Sequence, residues 1–417
     1  MRKKTIQSLW GLSAGLHGLA ISMALWGTVL GSLIGSWPTE KYGRKNTLVA
    51  IGILYFVSAV WSGLAYGPWD FMFARFLGGL GIGISTVVSP LYISEIAPAE
   101  RRGRLTGLYQ FNIVAGILIA FLSNFLIGKF LDAGSAWRWM LGVEAVPALI
   151  YTLASLTLPE SPRWLLARKR GPEAIRILRS LDPALGAEAA EHRATEISVA
   201  AEKSDTGSSH SFFSRVLLRP ISLAFLIAFF NQLSGINAIL YFAPRIFEMT
   251  GLGAKAALLQ SIGIGFTNLI FTFAGLWLID RIGRKKLLII GSIGYIVSLG
   301  LCAWAFKTEN FAIVPYTIFA FIASHAIGQG AVIWVFISEI FPDRHRAAGQ
   351  SLGSSTHWVF AALITLAFPI AAGAFAPAYI FAFFAGMMIL QLIWVLTLVP
   401  ETKGIPLEKV FANLSEH

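Results

Sequence analysis

Eleven stretches of this chain are long enough to cross a hydrocarbon layer and nearly free of charge, which excludes most folds at once. Residues 5–39 contain no Asp, Glu, Lys or Arg, and neither do 47–66, 76–94, 105–128, 256–279, 287–306 or 377–399. Segments 139–158, 220–244, 310–338 and 347–376 are similar, the first interrupted by Glu144. A bilayer core of about 30 Å needs roughly 20 apolar residues in helical form, so each stretch predicts a transmembrane helix. The chain is 56% hydrophobic and only 13% charged, against about a quarter charged in soluble domains, so one large soluble core is excluded. A single cysteine, Cys302, rules out a disulfide framework. The apolar run after Arg2, Lys3 and Lys4 lacks a small-residue cleavage site and reads as mature protein.

Loop charge predicts the sidedness. Lys41, Arg44 and Lys45, then Arg101, Arg102 and Arg104, then ten basic residues from Arg163 to Arg219 fall in alternate loops. Arg281, Arg284, Lys285, Lys286, Arg344, Arg346, Lys403 and Lys409 follow on the same side. These are 24 of the 33 basic residues, and Lys- and Arg-rich loops face the cytoplasm. The net charge of +11 is thereby explained as a topology signal, and no nucleic-acid partner is needed. The polar stretch 159–215 reads as a linker with short helices at Trp164–Lys169, Glu173–Leu181 and Ala187–Lys203 and a flexible piece over 204–211; a regulatory role is the alternative.

Three patterns occur twice. Glu40-Lys41-Tyr42-Gly43-Arg44-Lys45 returns as Asp280-Arg281-Ile282-Gly283-Arg284-Lys285, 240 residues later. Ser94-Glu95-Ile96-Ala97-Pro98 returns as Ser338-Glu339-Ile340-Phe341-Pro342 after 244, and Pro159-Glu160 as Pro400-Glu401 after 241. A near-constant offset means two halves of one architecture. The expected fold is therefore an all-α polytopic membrane protein with an N-terminal bundle over 1–158 (five spans), the linker 159–215, and a C-terminal bundle over 216–417 (six spans). Parallel repeats with a midplane solute site between them are a transporter design. Two spans precede Asp280 but only one precedes Glu40, and three positive charges sit at an end that eleven spans would place outside. The simplest reading is that a first helix is missing from this chain; twelve spans would return both termini to the cytoplasm.

These motifs are where a family enters. With Pro90-Leu91-Tyr92-Ile93-Ser94-Glu95, Pro159-Glu160-Ser161-Pro162-Arg163-Trp164 and Pro400-Glu401-Thr402-Lys403-Gly404, the chain resembles the sugar porter family of the major facilitator superfamily, from the second family helix to the C-terminus. It departs in Glu40-Lys41, where Asp-Arg is usual, and in Ser36, at a usual Gly. The resemblance implies the major facilitator fold and transport of a monosaccharide, with protons as a further partner, in a bacterial inner membrane with the C-terminus cytoplasmic. Glu40, Glu95, Glu160, Asp280, Glu339 and Glu401 lie at predicted cytoplasmic helix ends beside Arg44, Arg102, Arg163, Arg284 and Arg346. Such charges are expected to latch the two bundles together and to part when the cytoplasmic side opens; helix capping and topology are the alternative. An exposed pair is worth only about 0–1 kcal/mol, but a network can bias a two-state equilibrium.

Polar groups within spans are costly and therefore candidates for function. Gln110, Asn231, Gln232, Asn237, Asn268 and Trp334 occupy such positions, and amides with an aromatic face suit a sugar. The resemblance implies that Gln110, Gln232, Asn237, Asn268 and Trp334 bind substrate. Asn231 stands at a usual Gln, and His357, followed by Trp358, where the family has Asn or Gln. Gln329 and Ala331 depart from the usual surroundings of Gly330. Interhelical hydrogen bonding is the alternative for each amide, and the expected role of Asn112, Asn124 and His325; His17 is left open between a partner helix and the exit path.

Arg75 and Glu144 are ionisable residues within spans at matching depth, ~8–10 Å below the outer surface at the helical rise. A mutual pair would relieve the cost of burial, so contact is expected. By resemblance, their counterparts in proton-coupled porters meet an acid on the first family helix. No P-loop and no His/Glu cluster is present, so neither cofactor nor metal is implied, and no enzyme chemistry. The rival readings are a polyol or other organic solute, a truncated transporter inactive by itself, and a sugar sensor that does not transport.

Overall fold

A computed structural model describes residues 6–96, 102–182, 185–206 and 212–405. Every regular element among them is helical. The N-terminal half carries α1 (Ala14–Ile34), α2 (Arg44–Leu64), α3 (Pro68–Ile96), α4 (Arg102–Phe130), α5 (Ala133–Gly142) and α6 (Ala145–Thr157). The polar stretch holds α7 (Pro162–Ala167), α8 (Gly171–Leu181) and α9 (Ala187–Thr206). The C-terminal half carries α10 (Leu218–Leu233), α11 (Ile236–Glu248), α12 (Ala254–Ile282), α13 (Arg284–Lys307), α14 (Val314–His325), α15 (Ala331–Ile340), α16 (Asp343–Ala374) and α17 (Pro377–Thr397). By length and composition these make eleven candidate membrane spans among the described residues.

Several spans depart from the uninterrupted helices their apolar runs predict. Within the run 5–39 a short helical turn, Ile6–Leu9, is separated from α1, where Ser13 caps the helix by accepting from the Leu16 N–H at 3.2 Å, and another short helix, Ser36–Tyr42, follows it. The run containing Glu144 is two helices, α5 and α6, that part at Val143–Glu144. The run 220–244 breaks at Ser234–Gly235, with Gly235 at φ +85°. Only a glycine adopts that left-handed backbone without strain, and a Cβ there would press on the Phe384 ring at 2.6 Å. Between α14 and α15 a π-helical turn, Ala326–Gly330, widens the backbone at the glycine pair. Of the stretch expected to be flexible, residues 204–206 continue α9, and 207–211 lie outside the described residues.

The repeat pairs α1 with α12, α2 with α13, and α3 with the α14–α15 helix. Likewise α2 packs on α5 and α6 as α13 packs on α17. The halves meet along two seams, α1 against α16 and α4 against α12. At the first seam Gly18 lies against the Leu366 carbonyl, with no room for a side chain between them. The α10–α11 helix has no counterpart among the described residues of the N-terminal half. Its own window is 67% buried, against 6% for Phe111–Phe130 and 11% for Gly134–Thr157, so α4, α5 and α6 are the sparsely covered side of the protein.

Candidate functional site

Two belts of charge form at one end of the protein, one in each half, and they are nearly superimposable in their bonding. Arg44 opens α2 after Gly43, and its guanidinium holds Glu95 at the end of α3 through Nε–Oε2 and Nη2–Oε1 bonds, both 2.9 Å. Nη2 also reaches Glu40 at 3.1 Å. The Arg44 N–H donates to Glu160 Oε1 at 2.9 Å. In the other half Arg284 opens α13 after Gly283 and holds Glu339 through Nε–Oε2 at 3.0 Å and Nη2–Oε1 at 2.6 Å. Its Nη1 meets Asp280 at 3.0 Å, and its N–H donates to Glu401 Oε1 at 2.9 Å.

The geometry has a common cause. A carboxylate placed on the first N–H groups of a helix satisfies donors that have no intrahelical partner, and it gains from the helix dipole. Glu160 caps α2 and Glu401 caps α13 in this way. Gly43 (φ +92°) and Gly283 (φ +100°) turn the chain so that the carboxylate lies where a Cβ would stand. Side-chain exposure is 7% and 5% in the Arg44–Glu95 pair, and 10% and 16% in the Arg284–Glu339 pair. These pairs are buried, unlike Glu40 at 63% and Asp280 at 81%.

Among the described residues the ion pairs of the belts are those of Arg44 and Arg284, and each closes within its own half. Arg163 is exposed and has no ion pair among the described residues. The side chains of Arg102 and Arg346 lie outside the described residues. Three partners were not singled out from sequence: Thr402 Oγ1 donates to Glu339 at 2.6 Å, and Trp164 Nε1 and Arg168 both donate to the Glu40 carbonyl at 2.8 Å. The side chain after the second Pro-Glu and the Trp two residues after Pro162 were the available signals.

Arg75 of α3 and Glu144, at the break between α5 and α6, meet at 3.4 Å with exposures of 21% and 51%. A cavity of about 450 Å³ opens beside them, lined also by Tyr55, Ser58 and Tyr151. It shares no lining residue with the amides described next.

Those amides gather at the break in the α10–α11 helix. Asn231 and Gln232 end α10, and Asn237 opens α11, so the turn at Gly235 brings all three together. Asn237 Nδ2 donates to Gln232 Oε1 at 2.7 Å, and Gln232 Nε2 donates to Asn231 Oδ1 at 2.9 Å. From α16, His357 places both ring nitrogens 3.2 Å from Gln232 Nε2. The Trp334 ring of α15 lies 5.2 Å from the His357 ring, and the Trp358 ring 4.9 Å on another side. Three helices thus meet at one carboxamide and a fourth, α15, reaches the cluster through His357, with Gln232 itself fully buried and His357 and Trp334 half-buried. Gln350 holds the Trp334 carbonyl at 2.9 Å.

Other candidates fall elsewhere. Asn268 of α12 is buried, with Thr272 Oγ1 3.5 Å from its Oδ1, and no hydrogen bond joins it to the cluster among the described residues. The side chain of Gln110, on α4, lies outside the described residues. His325 makes an interhelical bond, Nδ1 to the Tyr295 hydroxyl at 2.6 Å. Gln329 donates to Gln391, which donates to Ser292, a buried network that ties the π turn to α13 and α17. His17 faces Phe242 across the seam between the halves, ring to ring at 6.2 Å.

The sequence and backbone are similar to known proteins over nearly their whole length. A family profile described as "Sugar (and other) transporter" matches residues 3–413. The chain is 33% identical over 411 residues to the arabinose-proton symporter of Bacillus subtilis, covering 97% of this chain and 88% of that one. It is 31% identical over 428 residues to the D-xylose-proton symporter of Escherichia coli K12, covering 95% and 86%. The inward-open structure of the E. coli xylose transporter XylE superimposes with a TM-score of 0.83 at 28% identity, covering 99% of this chain and 91% of that one.

Proposed function

Because the chain belongs to the sugar transporter family of the major facilitator superfamily, we propose that it carries a monosaccharide across a bacterial plasma membrane by alternating access, with the solute held at the Gln232 cluster. The carrying observation is the amide Gln232, bonded by Asn231 and Asn237 and in contact with His357, whose ring lies 5.2 Å from that of Trp334. Sugars offer hydroxyls that both donate and accept, and a C–H face that packs on an aromatic ring. A carboxamide matches the first, and an indole the second. Gln110 of α4 and Asn268 of α12 are assigned to the same solute path.

Alternating access needs two rigid bundles and a seam that opens. The charge belts supply rigidity, since each binds the ends of three helices of one half into a unit. The basic end faces the cytoplasm, as its loop charges require. Motion then occurs along the α1–α16 and α4–α12 seams, with the breaks at Gly235 and at the π turn as the points where spans bend.

Proton coupling is assigned to the Arg75–Glu144 pair beside its cavity, in keeping with the names of the arabinose- and xylose-proton relatives. Glu144 is half exposed, meets Arg75 at 3.4 Å and borders the cavity, which is the geometry that supports this assignment. The test is uptake of labelled arabinose, xylose and glucose into proteoliposomes, with a polyol such as inositol as competitor. Gln232→Ala and Asn237→Ala together should abolish uptake; unchanged uptake in that double variant overturns the site, and competition by the polyol alone replaces the sugar with that solute.

A further inference from the structure

Gln329, Gln391 and Ser292 are fully buried in the C-terminal half and bond to one another across three helices. Gln329 Nε2 donates to Gln391 Oε1 at 3.0 Å, and Gln391 Nε2 donates to Ser292 Oγ at 2.8 Å. Ser292 Oγ in turn donates to the Leu288 carbonyl at 2.7 Å. Both carboxamides can be reversed together, with Ser292 then donating to Gln391, and the bond between the two glutamines survives either way. In either direction the chain ends at Gln329, where one carboxamide atom is buried with no partner among the described residues. Apolar side chains would fill the same space and strand no atom, so stability alone does not account for the network.

Gln329 lies inside the π turn, Ala326–Gly330. Such a turn holds one residue more than α-helical winding, so everything beyond it is rotated by about 100° relative to an unbroken helix. Trp334 stands one helical turn further on, in α15. The far end of α15 is pinned where Arg284 holds Glu339 at 3.0 and 2.6 Å. The direction of the indole about the helix axis is therefore set at the π turn. The turn is pressed on α13, where a Cβ on Gly328 would stand 2.8 Å from the Gly291 Cα, and Gln391 joins it to α17. A side-chain bond from within the turn to its neighbours opposes a return to α-helical winding.

We infer that Gln329 is a positioning residue: its bond to Gln391 holds the π turn in place against α13 and α17 and so aims the Trp334 indole at His357 and the solute. This rests on the sugar-binding reading above and adds to it the fixed pivot from which α15 extends. Without that bond the turn rewinds and carries the indole away from the His357 ring, from which it now lies 5.2 Å.

The experiment uses an asymmetry of buried polar pairs: removing one partner strands the other, whereas replacing both by apolar groups is nearly neutral. In the full chain in lipid nanodiscs, Gln329→Leu and Gln391→Leu should each lower the melting point, and the double variant should recover it. A network that is only structural would recover sugar affinity at the same time. Positioning predicts that the dissociation constants for labelled D-xylose and D-glucose stay raised in the double variant by about fivefold, the scale of one lost aromatic contact. A second readout needs no sugar. Trp334, followed by ¹⁹F-tryptophan NMR and assigned by its loss in Trp334→Phe, should shift its resonance in the double variant. An unmoved Trp334 resonance, or dissociation constants restored to those of the unaltered protein, overturns the proposal whatever the melting point. Absence of sugar binding in the unaltered protein, with the Trp334 resonance shifted in the double variant, would instead sink the sugar reading and leave the positioning role of Gln329 standing.

Discussion

Arg284 grips Glu339 with two parallel bonds of 3.0 and 2.6 Å, and Arg44 grips Glu95 in the same way 240 residues earlier. Each arginine sits one residue past a glycine with positive φ, and each glycine leaves room for a glutamate from the last span of its half. The belts are thus built twice from the same parts, and each ties one bundle to itself. Rigid halves are what a rocking transporter requires, since strain at the solute site must move a seam rather than loosen a helix.

The two carboxylates on Arg284 should separate by burial. Glu339→Gln leaves a buried guanidinium without its main counter-charge and should cost about 3–5 kcal/mol. Asp280→Asn, at 81% exposure, should cost under about 1 kcal/mol. Thermal unfolding of the two variants in detergent measures the difference; equal shifts would show that the pairs do not share out the stability as their burial implies.

Gly235→Ala should damage transport more than a mid-helix glycine change would. The left-handed backbone at φ +85° costs an L-residue roughly 1–2 kcal/mol, and the new Cβ meets Phe384 at 2.6 Å. Relief of that strain pulls Asn237 away from Gln232. Expected is a melting point lower by a few degrees together with a raised KM for uptake. A raised KM with no loss of stability would mean that the turn tolerates the side chain and the site alone responds.

Gln232→Ala removes the hub of the cluster and leaves Asn237 and His357 without a partner. About 1–3 kcal/mol of binding should be lost, the range for buried hydrogen-bonding groups left unmatched, or roughly 5- to 150-fold in affinity. Sugar binding by calorimetry reads this directly. An effect below twofold would remove Gln232 from the recognition site.

Glu144→Gln should separate coupling from transport. The pair with Arg75 is part exposed and contributes about 0–1 kcal/mol, so the melting point should scarcely move. Accumulation driven by an imposed pH gradient should fall at least tenfold, while exchange of labelled for unlabelled sugar at equal pH persists. Retained gradient-driven accumulation would take coupling away from this pair.

Much of the fold was legible because its signals are local. Apolar runs of about 20 residues mark spans wherever they occur, and the repeat at offsets of 240, 244 and 241 marks two halves. The break at Gly235 was hidden by the same property. Asn231-Gln232-Leu233-Ser234-Gly235 sits within an otherwise apolar run, and one glycine there reads as tolerated rather than as a turn. The partners of the charge belts were hidden for another reason. A loop rich in Lys and Arg tells which side of a membrane it faces, not which carboxylate its guanidinium will meet, so the pairing of Arg44 with Glu95 and of Arg284 with Glu339 came only from the structure.

Matching depth along two spans was enough to bring Arg75 and Glu144 together, since the rise per residue converts position into height. Nothing of that kind relates Gln232 to His357, 125 residues apart on helices whose rotation no hydropathy value reports. What the sequence by itself determined was the number of spans, their order and the duplication, because transfer of apolar residues into lipid is an additive, nearly context-free term. What only the tertiary structure decided was which polar side chains share a hydrogen bond, because that depends on the angle of each helix about its own axis and on the turn at Gly235, both of which are settled by packing against neighbours far away in the chain.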